Sequence, residues 1–196
     1  LKTRDIVGGR HVYSLMIIAQ LDSNAFLADH LIRLFVVCFS LQEANLVFEK
    51  IKQPSIYTWT AIISGHADLG ESERALDLYI MMLQCHHGIE PNKILILSLL
   101  KACSNVDTLV KGRLIHTQIV DLELDLDIVI TNTLMDMYAK HVTLEDARKI
   151  FDKLHNCRDV VSWGVMISGY ANCDEFSIVA LRLYKKMKSE GIIMHS

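Results

Sequence analysis

The sequence predicts an all-α protein: a right-handed superhelical solenoid of antiparallel helix-turn-helix repeats, about 34 residues each. Three observations predict it. First, "SIYTWTAIISGHA" (55–67) returns as "DVVSWGVMISGYA" (159–171), with Trp59 echoed by Trp163, Ile63-Ser64-Gly65 by Ile167-Ser168-Gly169, and Ala67 by Ala171. Second, small residues recur at Gly9, Ala44, Ala75, Gly112, Ala147 and Ala180, at intervals of 31 to 37 residues. Each of the four alanines is followed four residues later by an aromatic: Phe48, Tyr79, Phe151 and Tyr184. Third, apolar residues within a unit keep helical spacing, as in Leu134, Met135 and Tyr138, and again in Ala147, Ile150, Phe151 and Leu154. A helical hairpin of this size cannot bury its own apolar face, so such units stack on one another.

The composition agrees with that reading. Of 196 residues, 51% are apolar and 22% charged, and the only prolines are Pro54 and Pro91, which favours helices. The mean hydropathy of +0.26 is high, and helices covered on both faces would absorb it. The densest apolar runs, 34–39 and 94–100, fall far short of the ~20 residues that cross a bilayer, so no membrane partner is expected. A net charge of −3 is not that of a protein gripping nucleic acid by charge alone. The five cysteines (38, 85, 103, 157, 173) include no CxxC pair and suit buried thiols in a reducing compartment. The chain opens on Leu1 without a signal peptide, and no targeting peptide is visible.

The elements follow in order from a longer echo. "GRHVY" (9–13) answers "GRLIH" (112–116), and "DHLIRLFVVCFSLQEANLVFEKI" (29–51) answers "NTLMDMYAKHVTLEDARKIFDKL" (132–154), both at an offset of 103 residues. Three units of slightly different length therefore make one long period. Thr143, with Asp146 three residues on, reads as a helix start with an acidic first turn. Gly70, Gly88 and Gly191 fall at turns or helix ends. Trp163, Met166 and Tyr170 fit the tetratricopeptide spacing, as does Ala147-x3-Phe151. The glycine does not: Gly65 and Gly169 stand two residues too late.

Together, "DVVSWGVMISGYA", "NTLMDMYAKHVTLEDARKIFDKL", "LLKACSNVDTLVKGRLIH" (99–116) and "GIEPN" (88–92) closely resemble the pentatricopeptide repeat proteins of plant organelles. The resemblance is to the class that alternates long, short and standard motifs. On it, residues 1–24 end a long motif, 25–55 form a short one and 56–92 a standard one. Residues 93–127 form a long motif, 128–159 a short one and 160–195 a standard one.

The resemblance implies a reader of single-stranded organellar RNA, one base per repeat. In that family the fifth and last residues of a motif meet the base, and the second packs apolar surface against it. The implied base-reading pairs are Thr60 with Asn92, Asn132 with Asp159, Asp29 with Ser55, Leu97 with Asp127, and Gly164 with His195. The implied packing residues are Phe26, Tyr57, Ile94, Val129 and Val161. Asn132 with Asp159 is the family's uracil combination and Thr60 with Asn92 its adenine combination. Leu97 brings no hydrogen-bonding group, Gly164 no side chain, and Asp29 with Ser55 matches no combination that can be decoded. Read singly, Asn132 and Thr60 also suit helix starts. Trp59 and Trp163 read as core residues, and His116 as a packing residue.

No cofactor or metal is expected. "CHH" (85–87) offers one Cys and two adjacent His, which cannot make a tetrahedral zinc site unaided. The H-x-E and P-C-x-x-C signature of a cytidine deaminase is absent from the chain, so it is not read as an enzyme by itself. A catalytic domain or partner would act with it. The resemblance implies target recognition for C-to-U RNA editing, in the mitochondrion or alternatively the chloroplast, with editing-complex or ribosomal proteins as further partners. RNA processing, splicing, translation or ribosome association without editing stays open. So does a protein-interaction scaffold.

Overall fold

The computed structural model of the chain describes residues 6–21, 24–85, 88–104 and 108–192. The chain divides into two compact units, Leu1–Ala102 and Cys103–Ser196. The first holds α1 (Ile6–Ile18), α2 (Ala25–Val37), α3 (Leu41–Glu49), α4 (Ile56–Asp68), α5 (Ser72–Cys85) and α6 (Lys93–Ala102). The second holds α7 (Leu109–Asp121), α8 (Ile128–Lys140), α9 (Leu144–Lys153), α10 (Val160–Ala171) and α11 (Ser177–Ser189), with 3-10 turns at 124–126, 155–157 and 174–176. Among the described residues there is no strand. The all-α class is observed.

The repeated tryptophan is core in both units, as the sequence suggests. Trp59 meets Phe48 edge-on, with ring centroids 4.8 Å apart, and Trp163 meets Phe151 likewise at 4.9 Å. Both tryptophans are buried. Each such pair joins the second helix of one hairpin to the first helix of the next, α3 to α4 and α9 to α10. Edge-to-face packing adds about 0.5–1.5 kcal/mol to the burial itself.

The glycine that departs from the tetratricopeptide spacing also has a packing reason. α4 lies against α2, and a Cβ on Gly65 would overlap the Val36 side chain. α10 lies against α8, and a Cβ on Gly169 would stand 3.0 Å from Ala139 Cβ. Val36 and Ala139 occupy equivalent places, so the glycine marks the closest approach of successive first helices. The small residues of the second helices are buried too: Ala44, Ala75, Ala147 and Ala180. An ion pair repeats with them, Arg10 to Glu43 in the first unit and Arg113 to Asp146 at 3.2 Å in the second. Gly70, Gly88 and Gly191 have φ of 86°, 101° and 77°, the left-handed region glycine enters without strain.

Three expectations are corrected. Thr143 precedes α9, and Glu145 and Asp146 lie in its first turn, but its hydroxyl caps nothing there. It donates backwards to Tyr138 O at 2.9 Å, satisfying a carbonyl at the end of α8. Nor are most helices covered all round. α4 and α8 are mostly buried, with Tyr57 and Val129 standing out of them, but α1 buries only Gly9 and Met16, and apolar side chains on α1 and α11 (Val7, Ile18, Ile178, Leu181) stand exposed. Cys38, Cys103, Cys157 and Cys173 are free thiols; Cys103 is buried but Cys157 is exposed, against the expectation of buried thiols. His86 and His87 lie outside the described residues. No described helix is long and apolar enough to cross a membrane.

Candidate nucleic-acid interface

Ser55, Asn92, Asp127 and Asp159, four of the residues expected to end motifs, are helix caps. Ser55 caps α4 by accepting from Thr58 N, Asn92 accepts from Leu95 N at 2.9 Å at the start of α6, and Asp127 caps α8 from Val129 N and Ile130 N. Asp159 caps α10, accepting from Ser162 N at 2.8 Å. Capping suits these residue types, whose short side chains reach the orphan N–H groups of a first turn. Thr60 and Asn132, read singly as possible helix starts, are not caps. Each is the fifth residue of its helix and is buried.

The two families of position meet inside each unit. In the second, Asn132 Nδ2 donates to Asp159 Oδ1 at 3.1 Å, and Ser162 Oγ donates to Asn132 Oδ1 at 2.7 Å. In the first, Asn92 Nδ2 donates to Thr60 Oγ1 at 3.1 Å, while the Thr60 hydroxyl donates to Ile56 O at 2.7 Å. Burial pushes the Asp159 carboxyl up, but its hydrogen bonds from Ser162, Asn132 and the Val161 amide outweigh that and hold it below the ordinary aspartate value. The carboxylate is therefore charged at neutral pH.

All five packing residues are exposed apolar side chains: Phe26 70%, Tyr57 61%, Ile94 64%, Val129 48% and Val161 51%. In the second unit their relation to the polar pair is explicit. A hollow of about 330 Å³ is lined by Val129, Val161 and Val165 together with Asn132, Asp159, Thr133 and Asp136. The arrangement presents two apolar walls and a floor of fixed hydrogen-bonding groups.

The remaining candidates are placed as follows. No hydrogen bond joins Asp29 to Ser55 among the described residues, and Asp29 Oδ1 is buried without a partner. Leu97 is half-buried on α6. A Cβ on Gly164 would meet nothing within 4 Å, and His195 lies outside the described residues. His116 bonds the Tyr138 hydroxyl at 2.8 Å, and burial lowers its pKa, which agrees with a packing role. Ser162, a residue the family pattern does not mark, joins the pair through its hydroxyl and its N–H. Its signal was the D-x-x-S spacing of a capping box, 159 to 162.

Comparison with known proteins supports the repeat assignment. The PPR repeat model matches residues 57–87, 129–158 and 161–192. A pentatricopeptide repeat-containing protein of Arabidopsis thaliana is 37% identical over 186 residues, covering 94% of this chain and 25% of its own length. Two others from that plant, one named mitochondrial and one chloroplastic, are 34% and 32% identical, covering 94% and 93% of this chain and 28% and 29% of their own. The crystal structure of the pentatricopeptide repeat protein PPR10 from maize matches 96% of this chain and 28% of its own, with a TM-score of 0.65 at 16% identity, a likeness of fold. The chain spans about a quarter of the length of the curated relatives it matches. With three matched repeats and relatives aligned along nearly its whole length, it belongs to the pentatricopeptide repeat family.

Proposed function

We propose that the chain binds single-stranded RNA by sequence, one base per motif, with the motif boundaries set out from the sequence. The hollow between Val129 and Val161 carries this reading. A base sliding between the two valines would lose apolar surface to water and bring its edge onto Asn132 and Asp159. The Asn132 amide keeps one N–H and one oxygen lone pair uncommitted, a donor–acceptor pair that uracil's O4 and N3–H complement. In the first unit the Thr60 hydroxyl is buried, its proton given to Ile56 O and a lone pair taken by Asn92, so Asn92 presents the adenine-facing edge. Asp29 with Ser55, Leu97 with Asp127, and Gly164 with His195 contribute less, since they offer no comparable pair. The finer proposal is target recognition for C-to-U editing in a mitochondrion, or alternatively a chloroplast. What supports it is the long–short–standard alternation and the organelle names of the relatives.

The test is competition binding on short single-stranded RNAs varied at one position. Wild type is expected to prefer uracil over guanine at the Asn132 site. Asn132→Thr leaves a hydroxyl beside the same carboxylate and should turn the preference toward guanine by roughly 1–3 kcal/mol. Leu97→Ala should leave base preference unchanged. Equal weakening of all four bases by Asn132→Thr would reduce that residue to structural support. No salt-resistant affinity for RNA at all would leave the chain a protein-interaction scaffold, the reading its net charge of −3 favours.

A further inference from the structure

Ser162 is fully buried at the back of the Asn132–Asp159 pair and makes one contact beyond those the helix alone requires of it. A capping box needs only two bonds from it: its N–H to Asp159 Oδ1 at 2.8 Å, and its Oγ accepting from Asp159 N at 3.3 Å. The hydroxyl proton is left over. Its two acceptors in reach are Asn132 Oδ1 at 2.7 Å and Asp159 Oδ1 at 2.8 Å. Asn132 Oδ1 is the nearer of the two, and Asp159 Oδ1 already accepts from Ser162 N and Asn132 Nδ2, so the proton is given to Asn132 Oδ1. The amide is then held at both ends, with nitrogen toward the carboxylate and oxygen toward the hydroxyl. Turned over, it would set its oxygen against a carboxylate oxygen and give up the hydrogen bond that the Ser162 hydroxyl donates to Asn132 Oδ1.

We propose that Ser162 is a specificity-positioning residue: it fixes which way round the Asn132 amide faces the base, although it cannot touch the base itself. This rests on the RNA-reading function proposed above. The other polar pair lacks the device. There the residue three past the cap is Leu95, which has no hydroxyl to offer. At Ser55 the equivalent residue is Thr58, which bonds Ser55 rather than the fifth-position residue.

The experiment measures uracil-over-guanine preference at the Asn132 site for wild type, Ser162→Ala, Ser162→Cys and Ser162→Thr, each checked for a folded melting transition. Ser162→Ala is expected to cut the preference about ten-fold, one well-made base-edge contact's worth, while Ser162→Thr keeps it within about two-fold. Ser162→Cys keeps the shape with a weaker donor and should fall between them, and it takes over the test if the alanine variant does not fold. An unchanged preference in Ser162→Ala or Ser162→Cys overturns the proposal. If wild type shows no preference, the RNA-reading function fails instead. The positioning role is then decided in the free protein by NMR. Exchange of the Asn132 side-chain amide protons should quicken in Ser162→Ala, and unchanged exchange overturns the role.

Discussion

The Asn132–Asp159 and Thr60–Asn92 pairs hold equivalent places in their helices, yet they are built in opposite senses. In the first the cap is a charged acceptor and the buried fifth residue donates to it. In the second the cap donates and the buried fifth residue accepts, passing its own proton to the helix backbone. A carboxylate can take several hydrogen bonds at once; Asp159 Oδ1 takes those of Ser162 and Asn132. An amide cap divides its capacity between one acceptor and one donor atom. The charged pair is therefore a network and the neutral pair a single link. The same geometry can carry different edges because the cap residue decides the direction of donation.

The largest way to break this comparison is to remove each cap. Asp159→Ala strips the acceptor from Ser162 N and leaves the buried Asn132 amide N–H without its partner. It should cost about 2–3 kcal/mol of stability, since hydrogen bonds to a charged group are the stronger kind and a buried orphan donor is expensive. Asn92→Ala removes a cap of ordinary strength, while Thr60 keeps its bond to Ile56 O, so about 1 kcal/mol is expected. Urea unfolding of the two variants beside wild type checks it. Equal losses would mean that the network adds nothing to the cap.

A smaller difference is expected at the glycines. Alanine in a helix interior gains roughly 0.5–1 kcal/mol over glycine, which opposes any clash. At Gly65 the new methyl would overlap Val36, and overpacking of about 1–3 kcal/mol outweighs that gain. At Gly169 the nearest atoms lie at 3.0 and 3.1 Å, close enough for small shifts to relieve, so Gly169→Ala should come out near neutral. Thermal melts should place Gly65→Ala about 1 kcal/mol below Gly169→Ala. The reverse order would mean that α2 yields more easily than α8.

How far the sequence foretold all this differs between fold and site. The helices were legible because the echo at 103 residues and the small residues every 31 to 37 are packing constraints, and packing repeats when the unit repeats. The site was legible only through family resemblance, because neither Asn132 nor Asp159 has a periodic partner that would betray a contact 27 residues away. The capping role of Ser55 and Asp159 is written in S-x-x-T and D-x-x-S, spacings too short and common to single out a site by themselves. Thr143 shows the limit. A hydroxyl beside a helix end can bond forward to an N–H or back to a carbonyl at similar energy, and only the three-dimensional turn decides. Asp29 shows another, since a carboxylate oxygen buried without a partner cannot be foreseen from its neighbours in sequence.

The smallest effect separates the two pairs by acid, because only one of them contains an ionisable group. The Asp159 carboxyl is held below its ordinary value of 3.8, so its ionised form is favoured in the folded chain. A group shifted that way contributes stability above its unfolded value, and the contribution is lost as pH falls through the lower, folded value. Asp159→Asn keeps a capping side chain but abolishes the charge. The stability gap between wild type and Asp159→Asn should therefore be constant from pH 7 to pH 5 and close below about pH 4. Glu43, also held low by its bonds from Ser40 and Arg10, titrates in both chains and cancels in the difference. Asn92→Asp supplies the converse, because it places a carboxylate where Thr60 would have to turn its hydroxyl proton outward from Ile56 O to meet it. That variant should gain an acid-sensitive component that wild type lacks at this pair. A gap between wild type and Asp159→Asn that persists unchanged to pH 3 would show that the carboxylate's charge plays no part in holding Asn132.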